Sequence, residues 1–455
     1  MNKLVRYIWV SLLLCACEKE KIEIQDLTAS LEEISRIELR ADHKMLLPNG
    51  QAKMEFYPYV YGKKEVMKYG KTDEEEYMSG LVEEEYLIPS DQLPQGIVKV
   101  YDNIGNEIVD NLYSTTSVEP GTVLNFYAKA GDVESNRVSV TIRELPNESY
   151  KELVVPVIFH FLIPPTSEGP SYEVSVEYLE SMLEEVNNIY NRKLTTDPNG
   201  GNAKVTFKLA LYDNTGTLLQ EPGKHVVKLS LSNMNRIYGY ADDNDGELDI
   251  AYDLFITRYK STFFWEPERY LNIWVAHGVG GDNYYDLASY RCDFPRVIHS
   301  DYSDESIPGL EDLIMVDHYG LAEVEECQDV GITLNFSSFL APSDNYSLAG
   351  ILARYYGVFY TDQDDNDDWV GGDNDYCSDT YSYYSGYSPS VFKNNRLYRE
   401  DETAEYDYFT SFNVMDNYSR KSSLSVDQVA RIRKVMEVCP SRWAYKSNWA
   451  FTGQD

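Results

Sequence analysis

Metal-assisted hydrolysis needs imidazole, thiolate or carboxylate groups at fixed spacing, and this sequence supplies them unevenly. Its six histidines are His43, His160, His225, His277, His299 and His318. No two lie within five residues of each other, so no helix can present two imidazoles one turn apart to a zinc ion. No zinc is expected, because a zinc site would have to gather distant ligands such as His277, His299 and His318. The cysteines Cys292, Cys327, Cys377 and Cys439 form no CxxC pair, which argues against a zinc–thiolate site. Carboxylates are plentiful. Asp362, Asp364, Asp365, Asp367, Asp368, Asp373 and Asp375 crowd one stretch around Gly371-Gly372. Oxygen-rich clusters suit calcium, although no glycine stands where an EF-hand loop requires one; the alternative is a solvated acidic loop. Asp242-Asp243-Asn244-Asp245-Gly246 reads as a plain turn.

A second group of residues carries charge and aromatic surface. The run from Leu348 to Tyr360 predicts a buried helix over 346–360, with Leu348, Ile351, Leu352, Tyr355, Tyr356 and Phe359 making an apolar face. Arg354 stands within it. A guanidinium stays protonated and cannot ligate a metal. It is expected either to hold a ligand carboxylate or to pair with a nearby Asp or Glu. Gly350 weakens such a helix by about 1 kcal/mol relative to alanine and has no evident local purpose. The chain contains 39 tyrosines. Tyr376, Tyr381, Tyr383, Tyr384 and Tyr387 interleave with serine and glycine, a composition suited to adaptable recognition.

These groups are set on an exported chain. Lys3 and Arg6 precede a short apolar run, Tyr7 to Leu14, which is too short to span a membrane as a mature helix and reads as a signal peptide over 1–17. Leu14-Cys15-Ala16-Cys17 resembles a bacterial lipobox, with Cys17 as the lipidated residue. Cys17-Glu18-Lys19-Glu20 resembles the tag of lipoproteins displayed on the outer face of the outer membrane. Residues 18–33 are expected to form a stalk. The formal net charge is −35, with 75 acidic against 40 basic residues, which argues against a nucleic-acid partner. An even set of four cysteines in an exported chain predicts two disulfides, with three connectivities open.

Two patterns follow one another along the chain. Residues 34–145 read as all-β: Ile37-Glu38-Leu39, Met54 to Tyr57, Val98 to Tyr101, Val123 to Ala128 and Val138 to Ile142 are strand-like, with turn chemistry at Pro48-Asn49-Gly50 and Asp102 to Gly105. A linker is expected near Leu145-Pro146-Asn147-Glu148. Beyond it, Val154 to Leu162 is a continuous apolar run, as in a strand buried on both faces. Val176, Leu179, Met182, Leu183, Val186 and Ile189 fall on one helix face, capped by Ser175. Val205, Phe207, Leu209 and Leu211 alternate with polar or small residues, and Leu271 to Val275 is a further strand. The fold class expected is an N-terminal all-β immunoglobulin-like sandwich followed by an α+β domain over 150–455.

The front segment resembles bacterial immunoglobulin-like spacers at Ala41-Asp42, Pro120-Gly121, Phe126-Tyr127-Ala128 and Ser135-Asn136. Residues 150 to about 440 resemble the pappalysin-type metallopeptidases of the metzincin clan, as found in lipoproteins of Bacteroidota. The resemblance rests on Val155 to His160, Tyr270-Leu271-Asn272-Ile273-Trp274-Val275, Asp375 to Thr380, Asn413-Val414-Met415-Asp416 and Ser425 to Arg433, in that order. It implies a Met-turn at Met415 and structural calcium at Asp375, Asp379 and Thr380. It also implies the zinc pattern H-E-x-x-H-x-x-G-x-x-H, whose places are filled here by Gly350, Ile351, Arg354, Gly357 and Tyr360. The imidazoles and the general base are gone, and only the glycine remains. The expectation is a surface lipoprotein, catalytically inactive, that binds a peptide, protein or glycan in the former substrate cleft. Arg354, Tyr360, Tyr383 and Tyr384 are its candidate cleft residues. The alternatives are an active metallopeptidase with unusual ligands and a structural or adhesive surface protein.

Overall fold

The computed structural model describes residues 28–71, 76–145, 150–163, 173–194, 196–228, 265–276, 290–292, 294–317, 331–340, 347–363, 375–381, 383–384, 396–400, 406–416 and 422–455. Cys17 and the signal segment lie outside them, as do His277, His318, Cys327, Asp364 to Asp373 and the acidic turn 242–246. The expected linker over 146–149 also lies outside. The chain divides into two compact units: residues 1–39, 58–101 and 127–136 in one, and residues 40–57, 102–126 and 137–455 in the other.

In the first unit, the body of β3 (Met54–Lys71) and β4 (Glu76–Leu87) form a long antiparallel hairpin, in register from Tyr61↔Leu87 to Lys71↔Glu76 with an irregularity between Lys68 and Tyr69. Lys63 pairs with Glu83 at 2.8 Å. The turn signals read above say nothing of this hairpin, in which opposite charges face each other at Lys63↔Glu85 and Lys64↔Glu84.

The front of the second unit contains the strands expected at residues 123–126 and 138–142. β10 (Val138–Ile142) pairs antiparallel with the start of β8 (Val123–Ala130) and parallel with β2 (Met45–Leu46). Phe126 is fully buried against Phe56 and Tyr113, at ring separations of 4.6 and 5.0 Å. The Pro48-Asn49-Gly50 turn forms, with Gly50 at φ 72°. Asn49 accepts from the Gln51 and Ala52 N–H groups and donates to the Pro198 carbonyl.

The body of this unit is a mixed sheet with helices. The sheet order is β12 (Val205–Leu209), β11 (Leu153–Ile163), β14 (Leu271–Ala276), β18 (Ile332–Asn335) and β15 (Tyr290–Cys292). β13 (Lys224–Lys228) extends the β12 edge by pairing with the second half of β11. All these pairings are parallel except β15 on β18, which is antiparallel. β11 is buried on both faces, which is why it reads as a continuous apolar run. Val155, Val157, Phe159 and Phe161 face the main core with α1 (Val176–Tyr190) and α3 (Leu348–Tyr355). Ile158 faces Trp265, Tyr270 and Ala450 instead. Ser175 caps α1 by accepting from the Tyr178 N–H at 3.2 Å, as its sequence predicts. A short helix α2 (Phe336–Leu340) follows β18, α4 (Val426–Val438) closes the core, and α5 (Trp449–Thr452) lies near the C-terminal end.

Candidate functional site

The helix of interest is α3. Ser347 caps it, accepting from the Gly350 N–H at 3.2 Å. It ends earlier than the apolar pattern implies, because Gly357 adopts φ 82°. Gly357 N–H donates to the Arg354 carbonyl and Val358 N–H to the Ala353 carbonyl, the paired bonds of a glycine-terminated helix end. Tyr360 therefore lies beyond the helix, not on it.

Gly350 has the purpose that its propensity hides. A Cβ built on it would stand 2.7 Å from the Val414 carbonyl oxygen. Side-chain-free backbone is what lets α3 rest directly on the Asn413–Asp416 turn. In that turn, Met415 is fully buried and its N–H donates to the Asn413 side chain at 2.9 Å. Thr361, just past Tyr360, donates to the Met415 carbonyl at 3.1 Å and to Asp416 at 2.5 Å. Ile351 is buried in the core.

Arg354 is half-buried. Its guanidinium lies over two rings, Phe294 at 4.9 Å and Tyr360 at 4.8 Å. Among the described residues no Asp or Glu pairs with it, so the expected alternative of a local ion pair is not what the structure holds. Tyr383 and Tyr384 form a two-residue strand beside Asp362–Gln363, which places their backbone next to the segment that leaves Tyr360.

Of the three residues expected to hold calcium, the structure brings Asp375 and Thr380 together and engages Asp379 with other partners. Asp375 accepts from the Cys377 N–H at 3.0 Å and from the Thr380 hydroxyl. Asp379 is engaged elsewhere, by Arg143 at 2.6 Å, the Ser425 hydroxyl at 2.7 Å and the Asp427 N–H at 3.1 Å. Among the described residues no group of three or more His, Cys, Asp or Glu is placed to hold a metal ion. Arg143 also bonds Asp427 at 2.6 Å, joining the end of β10 to the first turn of α4. Burial pushes the Asp427 carboxyl up, but hydrogen bonds from Arg143 and Ser378 outweigh it and hold it below the usual range. Asp379 is more deeply buried, and burial together with the charge of Asp427 pushes it up.

The expected two disulfides do not form among the described cysteines; Cys327 and the side chain of Cys292 lie outside the described part. Cys377 and Cys439 are free, buried thiols, and burial pushes both upward, Cys439 to about 12. Cys439 lies in the apolar core, where a thiol behaves as a small hydrophobe, whereas Cys377 stands among Asp375, Asp379, Asp427 and Arg431.

Two clusters escape sequence reasoning. His160 on β11 is fully buried, stacked on Trp274 at 4.2 Å. Asn272 donates to the Trp265 carbonyl, so its oxygen accepts from His160 Nε2 at 2.9 Å. His160 Nδ1 then accepts a hydrogen bond from the Nδ1–H of His225 at 2.8 Å. Burial, then the neighbouring His225, pushes His160 down to about 3. A polar residue inside an apolar run was the available signal. The other cluster surrounds His43, ion-paired with Asp42 at 2.9 Å. Burial lowers His43, but Asp42, Asp197 and Glu55 together raise it. His43 borders a small polar cavity of about 60 Å³ that Arg143, Asp197 and Asp416 also line. His299 lies apart from α3, its ring 5.0 Å from Trp443.

Among solved structures, the chain is similar to mature mirolysin of Tannerella forsythia in complex with a cleaved peptide, at 16% identity and a TM-score of 0.38, covering 66% of this chain and 97% of that one. Mirolysin in complex with a small compound gives the same identity and TM-score over 98% of its length, and a promirolysin variant from the same organism does so over 86%. At this identity the likeness says nothing of the residues in the site. No family model matches the chain, and no curated protein matches it.

Proposed function

We propose that this chain is an exported lipoprotein, anchored to the outer membrane through Cys17, whose second half keeps a metallopeptidase-like framework and binds a peptide without cleaving it. Residues 34–145 would serve as an immunoglobulin-like spacer. The observation that carries the reading is the contact at Gly350. Where the zinc pattern requires its first imidazole, the helix backbone instead meets the Val414 carbonyl, with 2.7 Å to a built Cβ. The next ligand place holds a cation that would repel zinc, and the base place holds aliphatic Ile351, which is buried. The surface for a peptide needs no metal. β15 pairs with β18 alone among the described residues, and the added extended strand is placed along its other edge.

The test uses protein beginning just after Cys17, purified without chelators. The expected result is no stoichiometric zinc by elemental analysis, together with binding of uncleaved peptides from a fluorescent library. One zinc per chain with chelator-sensitive cleavage would sink the reading and return the search to His277, His299 and His318.

A further inference from the structure

Acidic residues outnumber basic ones by 75 to 40 in this chain, so a guanidinium with no carboxylate beside it calls for an explanation. Arg354 is such a group among the described residues, and its side chain makes no hydrogen bond there. Its partners are the rings of Phe294 and Tyr360. A guanidinium packed on rings keeps its in-plane N–H fork for an acceptor and matches a carboxylate with two parallel bonds.

The surroundings extend this surface. Phe294 stands two residues beyond β15, and its ring meets Phe359 at 4.8 Å. Phe359 in turn meets Tyr376 at 5.3 Å, and Tyr376 is 46% exposed. Beneath these two rings lies Arg431, 93% buried, 5.0 Å from Phe359 and 5.6 Å from Tyr376. It donates to the Gly357 and Pro308 carbonyls, yet its Nη2 finds no partner among the described residues. Arg431 is too covered to touch a ligand. Asp375 and Glu311 stand close enough to offset its charge.

We propose that Arg354 selects a carboxylate on the bound peptide, with Phe294 and Tyr360 holding the guanidinium in place. The inference rests on the peptide-binding reading above and names what that site recognises. A peptide laid along the other edge of β15 would come near Phe294, whose ring carries the Arg354 guanidinium, and bring its carboxylate there. That carboxylate is either an acidic side chain or a free C-terminus, and the experiment separates the two.

Three labelled peptides of one length would be compared by fluorescence anisotropy: one with an internal Asp and an amidated end, one without acids but with a free C-terminus, and one neutral and amidated. One of the first two should bind about tenfold more tightly than the neutral probe, as a charge-assisted bond predicts. Added salt should shrink the difference. Arg354→Gln should bring the acidic probe down to the affinity of the neutral one. Arg354→Lys, which keeps the charge and loses the fork, should recover only part of the preference. Equal binding of all three probes, or a preference untouched in folded Arg354→Gln, overturns the carboxylate assignment and leaves peptide binding standing. Binding by none of the three overturns both.

Discussion

The imidazole of His160 should make this protein acid-sensitive well above the range in which carboxylates titrate. His160 is fully buried, stacked on Trp274, and spends both ring nitrogens on Asn272 and His225. Its folded pKa is about 3, against 6.5 when unfolded. The folded state thus prefers the neutral ring. The stability it contributes is fully present above pH 6.5 and is lost as the pH falls from there toward 3. Between pH 7.5 and pH 5 the unfolded chain takes up nearly one proton that the folded chain refuses, a loss of about 2 kcal/mol. At pH 5 that figure hardly changes if the folded value is nearer 4. His43 titrates in the opposite sense, so a wild-type profile alone is not diagnostic. Urea unfolding at both pH values, read by tryptophan fluorescence, should be run on wild type and on His160→Gln. Trp265 and Trp274 flank the ring and report on it directly. The variant should lose about 2 kcal/mol less than wild type on acidification. Losses that agree within about 0.5 kcal/mol would mean that His160 accepts a proton in the folded state, and the reasoning would fail.

Three further outcomes follow from the packing. Gly350→Ala should destabilise by about 1–3 kcal/mol despite alanine's better helix propensity, because the new methyl meets backbone at Val414; a rise in the melting temperature would show that α3 can move off the turn. Arg143→Ala should cost about 3–5 kcal/mol in urea unfolding, since it strands the paired carboxylates Asp379 and Asp427; a cost below about 1 kcal/mol would show that the fork is not what ties β10 to α4. Cys377 and Cys439 should resist iodoacetamide at pH 8 in folded protein and react once it is unfolded, read by peptide mapping; rapid labelling of either in the native state would contradict their burial and raised pKa.

Local pattern determined a good deal of this molecule. Strand β11 was legible because a run buried on both faces must be apolar throughout, and α1 because its spacing and the Ser175 cap agree. The turn at Gly50 and the start of β10 were legible for the same kind of reason. That no two histidines stand one helical turn apart was legible too, since residue identity alone decides where an imidazole can be. Tertiary structure decided what identity could not. Gly350 looked like a weak point in a helix and proved to be a contact, because only the fold brings the Val414 carbonyl to its α-carbon, sixty-odd residues away in sequence. The helix stopped at Gly357 because a left-handed residue ends it, while the apolar pattern runs on to Phe359. Even cysteine count suggested disulfides, yet Cys377 and Cys439 are free. Asp379, read from the sequence as a candidate oxygen ligand, accepts from Arg143, which lies more than two hundred residues away. Ion pairs, thiol pairing and the close approach of two backbones are relations between distant points of the chain. No local periodicity encodes them, so they become visible only when the sheet and its helices bring those points together.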